Sequence, residues 1–271
     1  MSEIVENASR AVSRSAGSRV ATIAVVPAYN EERTVVAVLD ALYGAVDELV
    51  IVDDGSTDGT RAAVQEWLPQ HDHARLLSFD INRGMSAAYY LAFTHIAARV
   101  RAGQLGEYAL VCTVDADGQH DVSALDELLR ITRDERLDVL LARRDLSTYP
   151  WHKRAGNWLL SRWATWWARS PLLDVESGYR IFRAGVLADA LQYYRGYRYS
   201  ETVEVAVIAC RLGYRVRNDV LTPVPLYRSR TRLRDAVIDL AMIVVAARRA
   251  ARRTPIGPPR RWWRREERGQ P

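Results

Sequence analysis

The first half of the chain alternates continuous apolar runs with segments of helical spacing, and this alternation limits the folds that are open to it. Strands that are apolar throughout are typical of a parallel sheet whose two faces are both covered by helices. The sequence therefore predicts an α/β fold with a mostly parallel, doubly covered sheet. The predicted strands are 20–29, 48–56, 74–80, 108–117 and 137–144, and the predicted helices between them are 33–46, 57–68, 84–100 and 123–133.

Polar, turn-forming segments follow these apolar runs. They are PAYNE, DDGSTDGT, NRG and DADGQ. In open α/β sheets, ligands bind beyond the carboxyl ends of the strands. We therefore expect these segments to collect at one edge of the sheet and to form the functional site there.

The second half of the chain is organised differently. Five Trp residues fall within 151–170, a helix is expected near 200–212, and an Arg-rich strand and loop cover 215–234. Segments rich in Pro, Gly, Ser and charge at the two ends lack the apolar content that a core needs. The expected division is a disordered leader at 1–19, one domain at 20–234, an amphipathic membrane-interface helix at 235–249 and a disordered basic tail at 250–271.

The positive charge of the chain is concentrated near its C-terminus. Residues 248–271 contain nine Arg and two Glu, a balance of +7, whereas the whole chain has a net charge of +5. The rest of the chain is therefore slightly acidic, which argues against a specific nucleic-acid-binding domain. Cys112 and Cys210 lie in apolar surroundings, which predicts buried thiols and neither a disulfide nor a zinc site. Because we find no secretory signal and no run long enough to span a bilayer, we expect a cytoplasmic protein.

Two carboxylates, Asp115 and Asp117, end the predicted strand 108–117. Each raises the cost of ionising the other, so a folded chain needs a reason to keep them together. Such a pair often only caps the next helix or turn. A divalent cation offers another reason, because Mg²⁺ and Mn²⁺ take carboxylate oxygens together with substrate phosphates, and Gln119 would add a third oxygen. On this interpretation, a metal-bound diphosphate occupies the site.

The segment VDDGSTDGT at 52–60 has two interpretations. Asp53, Gly55 and Ser56 are sufficient for an Asx-type turn followed by a helix cap. Alternatively, Asp54 accepts hydrogen bonds from a nucleobase or a ribose. The segment matches neither a Walker loop nor a G-x-G-x-x-G motif, so neither of these phosphate-binding loops is indicated.

In their order and spacing, IAVVPAYNEERTV, ELVIVDDGSTDGT, NRG and VDADGQH resemble the family 2 glycosyltransferases with the GT-A fold, which is Rossmann-like. Within this family, the chain is most similar to dolichol-phosphate mannose synthase and to bacterial polyprenyl-phosphate sugar transferases, over about 20–234. The resemblance implies a nucleoside-diphosphate sugar donor, GDP-mannose or a UDP-hexose, and Mg²⁺ or Mn²⁺ as the cofactor. It implies nucleotide-sugar contacts at Pro27, Tyr29, Glu31, Val52, Asp54, Asp115, Ala116 and Asp117, and metal ligands at Asp115, Asp117 and Gln119.

The expected acceptor is a polyprenyl phosphate. Such a phosphate is already ionised near neutral pH, so it needs cations to hold it and no general base, and Arg suits phosphate by its planar fork of donors. The family's downstream R-x-x-G-x-S-K pattern is only partly present, with Thr231 and Leu233 replacing Gly and Ser, so the acceptor side can differ. The predicted acceptor-phosphate residues are Arg144, Arg154, Arg228 and Arg234, and the predicted catalytic residues of an inverting transfer are Asp117, Arg144 and Arg228.

Two alternatives stay open at this point. The acceptor could be a hydroxyl group of a soluble glycan or metabolite, which would require a general base. The candidates for that base are Asp174, Glu176 and Glu201. The chain could also be a non-catalytic module that binds nucleotide sugars.

The Trp-rich segment bears on the predicted lipid. At about 100° per residue, Leu159, Trp163, Trp166 and Trp167 fall within an arc of roughly 100°. Arg154, Arg162 and Arg169 cluster within roughly 80° on another side. A helix with aromatic and Arg faces can lie at a membrane interface, although the same aromatic residues could instead form core packing. Together with the basic, Trp-containing tail, the pattern predicts peripheral binding to the inner face of the cell membrane.

Overall fold

The computed structural model describes residues 20–196, 200–222 and 233–253, in which strands and helices alternate along the chain. The strands are β1 (Thr22–Ala28), β2 (Glu48–Asp54), β3 (Ala74–Phe79), β4 (Leu110–Thr113), β5 (Val139–Leu141), β6 (Arg143–Arg144), β7 (Arg180–Arg183), β8 (Val216–Arg217) and β9 (Leu221–Thr222). The α-helices are α1 (Val35–Tyr43), α2 (Thr60–Trp67), α3 (Met85–Arg101), α4 (Leu125–Asp134), α5 (Trp151–Ala168), α6 (Ala184–Ala190), α7 (Glu201–Leu212) and α8 (Leu233–Arg252).

Within the described residues, seven strands form one sheet in the order β3-β2-β1-β4-β7-β5-β8. The neighbours β3, β2, β1 and β4 are parallel, as are β5 and β8, whereas β7 lies antiparallel between β4 and β5. The predicted α/β fold with a mostly parallel sheet is therefore confirmed. The antiparallel strand was not foreseen, because its sequence RIFR begins and ends with Arg and forms no continuous apolar run.

Helices cover both faces of the sheet, and β1 shows why its sequence is apolar throughout. Ile23 and Val25 belong to a buried core on one face, which α3, α5 and α7 cover. Ala24 and Val26 belong to a second buried core on the other face, which α1, α2 and α4 cover. Since successive residues of a strand point to opposite faces, a strand between two cores must be apolar at every position.

Two strands end earlier than the sequence predicted. β4 stops at Thr113, the last residue that pairs with β7, so Asp115 and Asp117 lie in the loop beyond the sheet. β5 stops at Leu141, and Arg143–Arg144 form the separate strand β6, which pairs in parallel with β9. Because β6 pairs with β9 and belongs to a separate two-stranded sheet, Arg144 lies outside the main sheet.

The apolar side of the C-terminal helix α8 packs inside the protein. Ile243, Ala246 and Ala247 of this helix are buried in the same core as α3 and α7. Trp163 of α5 also donates from Nε1 to the carbonyl oxygen of Leu240 at 3.1 Å. The sequence predicts a membrane-interface helix at 235–249, but these three apolar side chains pack within the protein.

Several predicted features lie outside the described residues. They are the leader at 1–19, the tail from residue 254 onward and Arg228. Cys112 and Cys210 are described, and both are free thiols, the first of them buried. None of the described helices combines the length and the apolarity that a membrane crossing requires.

Candidate active site

The polar segments that follow β1 and β2 are joined by hydrogen bonds at the carboxyl edge of the sheet. The backbone N–H of Asn30 donates to Ser56 Oγ at 3.1 Å, and the backbone N–H of Thr57 donates to Asn30 Oδ1 at 2.8 Å. Asn30 has a φ of 56°, in the left-handed region that residues with side chains seldom adopt. The bonds to Ser56 and Thr57 hold this conformation and so fix the loop after β1.

The nucleotide-contact positions predicted on β1 and β2 lie side by side. Pro27 and Val52 are partners in the parallel register of the two strands. Tyr29 and Glu31 follow Pro27 in the loop and are half-buried. The backbone N–H of Glu31 donates to Thr60 Oγ1, at the start of α2, at 2.8 Å. The structure thus brings these residues together, and their contact with a nucleotide stays a prediction.

Two neighbouring Asp residues end β2 and have different partners. Asp53 accepts a hydrogen bond from the backbone N–H of Ser56 at 3.1 Å, which agrees with the turn interpretation, and from Arg61 Nε at 2.6 Å. Asp54 is buried and accepts from the backbone N–H groups of Arg83 and Gly84, each at 2.8 Å. Burial raises the pKa of Asp54 above its ordinary value, although the two N–H groups oppose the shift. Asp54 therefore anchors the NRG segment, and its predicted contact with a nucleobase or ribose stays a prediction.

Asp115 and Asp117 lie just beyond β4, and each has its own polar neighbours. Tyr89 of α3 donates from its hydroxyl group to Asp115 Oδ1 at 3.2 Å, and His120 Nε2 lies 3.7 Å from Asp115 Oδ2. Asp117 accepts from the backbone N–H of Gln119 at 3.0 Å and from the side-chain amide of the same residue. Within the described ranges, neither carboxylate forms an ion pair with an Arg or Lys residue.

The negative charges of Asp115 and Asp117 repel each other, and a bound cation would offset this repulsion. Burial raises the pKa of Asp117 above its ordinary value, and the negative charge of Asp115 raises it further. The two carboxylates and the Gln119 amide form an oxygen donor set that fits Mg²⁺ or Mn²⁺. Among residues 20–196, 200–222 and 233–253, no group of three or more His, Cys, Asp or Glu is placed to hold a metal. A cation at this pair would therefore take further ligands from donor phosphates or water.

A buried ion pair lies next to Tyr89, the residue that donates to Asp115. Arg180, the first residue of β7, donates to the two carboxylate oxygens of Glu201 at 2.7 and 3.0 Å, and both side chains are buried. The Arg180 guanidinium lies over the ring of Tyr89, 5.8 Å from its centroid, and Tyr89 in turn contacts Asp115. From the sequence, Glu201 was only a candidate base, and Tyr89 was not identified. The one signal in the sequence was Arg180, the last residue of the segment SGYR at 177–180.

Gly178 lies against the Asp115 carboxylate. Thr113 Oγ1 donates to the carbonyl oxygen of Gly178 at 2.5 Å, which ties the turn before β7 to the end of β4. A Cβ atom at Gly178 would lie 2.7 Å from Asp115 Oδ2 and 3.2 Å from His120 Cε1. Any side chain at this position would therefore push the carboxylate or the imidazole aside. These contacts were missed in the sequence because they depend on β7 lying next to β4.

Arg144 is the last residue of β6, and its guanidinium group lies among carboxylates from another part of the chain. It donates to the two oxygens of Asp174 at 2.8 and 2.9 Å, and its Nη2 lies 3.2 Å from Glu176 Oε2 and 3.2 Å from Asn157 Oδ1. Burial alone would lower the pKa of Arg144, but the two carboxylates raise it above its ordinary value. The structure thus brings a predicted phosphate ligand together with two of the candidate bases.

The other predicted acceptor residues are placed differently. Arg154 is exposed on α5. Arg228 lies outside the described residues, and for Arg234 the structure describes only its position in the first turn of α8. Their contact with an acceptor phosphate stays a prediction.

Comparison with known proteins assigns the chain to a family. A model described as Glycosyl transferase family 2 matches residues 23–198. The undecaprenyl-phosphate mannosyltransferase of Micrococcus luteus is 28% identical over 238 residues, which are 82% of this chain and 91% of that protein. The polyprenol monophosphomannose synthase of Mycolicibacterium smegmatis is 29% identical over 178 residues, which are 61% of this chain and 63% of that protein.

A solved structure has the same fold. The glucosyl-3-phosphoglycerate synthase of Mycobacterium tuberculosis, in complex with Mn²⁺, UDP-glucose and phosphoglyceric acid, has a TM-score of 0.61 and 19% identity, over 84% of this chain and 79% of that chain. The GT-A fold that the sequence resemblance implied is therefore confirmed. The family model covers more than half of the chain, and the relatives are enzymes, so the alternative of a non-catalytic module does not hold. The chain belongs to glycosyl transferase family 2 and is a glycosyltransferase.

Proposed function

We propose that this enzyme transfers a hexose from a nucleoside-diphosphate sugar to a polyprenyl phosphate, with inversion and with the help of a divalent cation. The observation that carries the proposal is the pair Asp115 and Asp117 at the carboxyl edge of the sheet, where no Arg or Lys side chain of the described residues forms an ion pair with either carboxylate. The names of the Micrococcus and Mycolicibacterium relatives support the choice of a polyprenyl phosphate.

The donor is held by the loops at the ends of three strands. Tyr29 and Glu31, with Pro27 and Val52 beneath them, form the nucleoside side, and Asp54 holds the NRG loop next to it. Asp115, Asp117 and Gln119 would hold Mg²⁺ or Mn²⁺ at the diphosphate, with Ala116 between the two carboxylates. When bound, such an ion neutralises the negative charge that develops on the departing nucleoside diphosphate.

The acceptor phosphate needs no general base. Its oxygen forms a bond to the anomeric carbon of the sugar while the bond to the diphosphate oxygen breaks, so the acceptor must lie on the opposite face of the sugar. Arg144 and Arg154, together with Arg228 and Arg234, are the residues that we propose for holding the phosphate.

The ion pairs of the candidate bases favour a phosphate over a hydroxyl acceptor. Asp174 and Glu176 both accept hydrogen bonds from Arg144, and Glu201 is buried against Arg180. Both oxygens of Asp174 and both oxygens of Glu201 already accept hydrogen bonds from Arg, so they are not free to take a proton from a substrate hydroxyl group. A hydroxyl acceptor would need one of these groups to leave its Arg before it could accept a proton.

A transfer assay tests this function. The purified full chain is offered a panel of labelled nucleotide sugars with a polyprenyl phosphate in detergent and Mn²⁺. We expect the label of one sugar to move into organic solvent, with no transfer in EDTA. Transfer to soluble hydroxyl acceptors alone would contradict the lipid acceptor, and full transfer in EDTA would contradict the role of the cation.

The proposed place of action is the surface of the inner face of the cell membrane, where a cytoplasmic enzyme would meet both a soluble donor and a lipid acceptor. The basic charge near the C-terminus would support attraction to anionic lipids. The proposal includes no specific nucleic-acid partner.

A further inference from the structure

Helix α5 carries a row of large apolar side chains that nothing in the described part of the chain covers. Trp151, Trp158, Leu159 and Trp166 are exposed by 79%, 62%, 58% and 65% of their surface. At about 100° per residue, the four lie within an arc of about 100°. We call these four residues the Trp face. Three Trp side chains exposed on one helix are unusual, since residues of this size and apolarity are normally well buried.

The opposite side of α5 already attaches the helix to the protein. Leu160 and Ala164 are buried in the main core, and the two other Trp residues, Trp163 and Trp167, pack partly against it. Arg248 of α8 lies over the Trp167 ring, 5.3 Å from its centroid. From the sequence alone, the Trp residues fit either core packing or a membrane interface. The structure divides them, so the Trp face is not required for the fold of the helix.

The charge of α5 identifies what kind of surface the Trp face fits. Residues 146–173 contain no Asp or Glu but include Lys153, Arg154, Arg162 and Arg169. Arg154, Arg162 and Arg169 are exposed. By the helical count Arg162 lies within the arc of the Trp face, and Arg169 directly follows the last residue of the helix. Trp prefers the boundary between headgroups and acyl chains, and Arg beside it binds lipid phosphates. A face that combines the two without any acidic residue is complementary to an anionic bilayer.

We propose that α5 lies on an anionic membrane, with the Trp face at the level of the headgroups and Arg162 and Arg169 on lipid phosphates. The biological sense of this docking rests on the proposed function, because a lipid acceptor lies in such a membrane. The same helix reaches the predicted acceptor site from its other side. Asn157 Oδ1 accepts from Arg144 at 3.2 Å, and the backbone N–H of Val175 donates to Ser161 Oγ at 3.4 Å. Docking would thus place Arg144 one helix diameter from the lipid surface.

The test measures binding of the full chain to vesicles that contain neither polyprenyl phosphate nor a sugar donor. Vesicles of phosphatidylcholine alone are compared with vesicles that also contain phosphatidylglycerol, by co-sedimentation. We expect binding only to the anionic vesicles, and a loss of about tenfold or more when Trp151, Trp158 and Trp166 are all changed to Ser. Arg162→Gln together with Arg169→Asn should weaken binding by about fivefold for each charge removed at low salt, and less at high salt.

The matched control is Tyr108→Ser, which removes an aromatic side chain that is 67% exposed just before β4, at the amino end of this strand. It should bind vesicles as the unchanged chain does. Since all altered side chains are exposed, thermal melting should show that each variant is folded. Full vesicle binding by the triple Trp variant would overturn the proposal, and so would equal binding to neutral vesicles. A dimer that the triple Trp variant turns into a monomer, with vesicle binding unchanged, would assign the face to a second copy of the chain.

The outcomes separate this inference from the proposed function. If the unchanged chain transfers sugar to a polyprenyl phosphate in detergent but fails to bind anionic vesicles, the docking face is wrong and the function stands. If it binds through the Trp face but transfers no sugar to a polyprenyl phosphate, the docking face stands and the acceptor is wrong.

Discussion

At the scale of single residues, the site depends on two like charges that the fold holds close together. Tyr89 and His120 contact the oxygens of Asp115, and Gly178 leaves room for them. Asp117 has only Gln119 as a close partner among the described residues. The position of Asp115 is therefore set by packing on three sides, which makes it sensitive to small changes nearby.

Gly178→Ala should disturb this position without unfolding the protein. The new Cβ atom would lie 2.7 Å from Asp115 Oδ2, so the carboxylate must move. Because a misplacement of about 1 Å can cost up to about 100-fold in rate, we expect kcat to fall by about tenfold or more. The control is Gly156→Ala on α5, which has no atom within 4 Å of the new Cβ. Equal kcat values for the two variants would contradict the account.

Single residues differ in how far the sequence could predict them. Asp115 and Asp117 could be found because their motif is local and follows an apolar run. The pair of Arg180 and Glu201 could not, since its members come from separate elements that meet only in the folded chain. Arg144 was predicted to meet phosphate, but its partners Asp174 and Glu176 lie about 30 residues away and were considered only as bases.

At the scale of the elements, helix α7 connects the core to the C-terminal helix through a buried carboxylate. Glu204 accepts from the backbone N–H groups of Arg195 and Gly196 at 2.6 and 2.9 Å, and Arg249 of α8 lies 3.9 Å away. Burial raises the pKa of Glu204 to about 7, although these N–H groups and Arg249 oppose the shift. The folded chain therefore holds a proton here that the unfolded chain releases at lower pH.

The free energy of unfolding should depend on pH because of this proton. The pKa of Glu204 is higher in the folded chain than in the unfolded chain, where it is 4.5, so protonation of Glu204 stabilises the folded state. This stabilisation is complete below pH 4.5 and is lost as the pH rises to about 7. Relative to Glu204→Gln, which stays neutral, the unchanged chain should lose about 3 kcal/mol of unfolding free energy over this range. Urea unfolding at several pH values measures the difference. Glu66→Gln, at an exposed position of α2, should show no such trend, and parallel curves for Glu204→Gln and the unchanged chain would contradict the assignment.

The elements also differ in how well the sequence predicted them. β1 and β2 were clear because both faces of these strands are buried. β6 and β9 have two residues each, which is too short for any periodic pattern, and they pair with each other outside the main sheet. The apolar residues of α8 were predicted, but their partner was not, since a helical pattern shows an apolar side without showing what covers it.

At the scale of the whole molecule, two surfaces of the chain serve one reaction in our account. The carboxyl edge of the sheet carries the donor site, and the Trp face of α5 meets the membrane, with Arg144 and Asn157 between them. The family assignment and the fold agree with this arrangement, and the sequence resemblance had predicted both. The direction of the Trp face could not be predicted, because it follows from the packing of α5 on α8.

The central claim is that Asp115 and Asp117 hold a cation at the diphosphate of the donor. Its most direct test is the affinity for a nucleoside diphosphate, measured by calorimetry with Mn²⁺ and with EDTA. We expect Mn²⁺ to strengthen binding by about tenfold or more in the unchanged chain and in the control Asp126→Asn, an exposed carboxylate of α4. In Asp117→Asn this gain should disappear. Equal affinity with Mn²⁺ and EDTA in the unchanged chain, or an undiminished gain in Asp117→Asn, would contradict the claim.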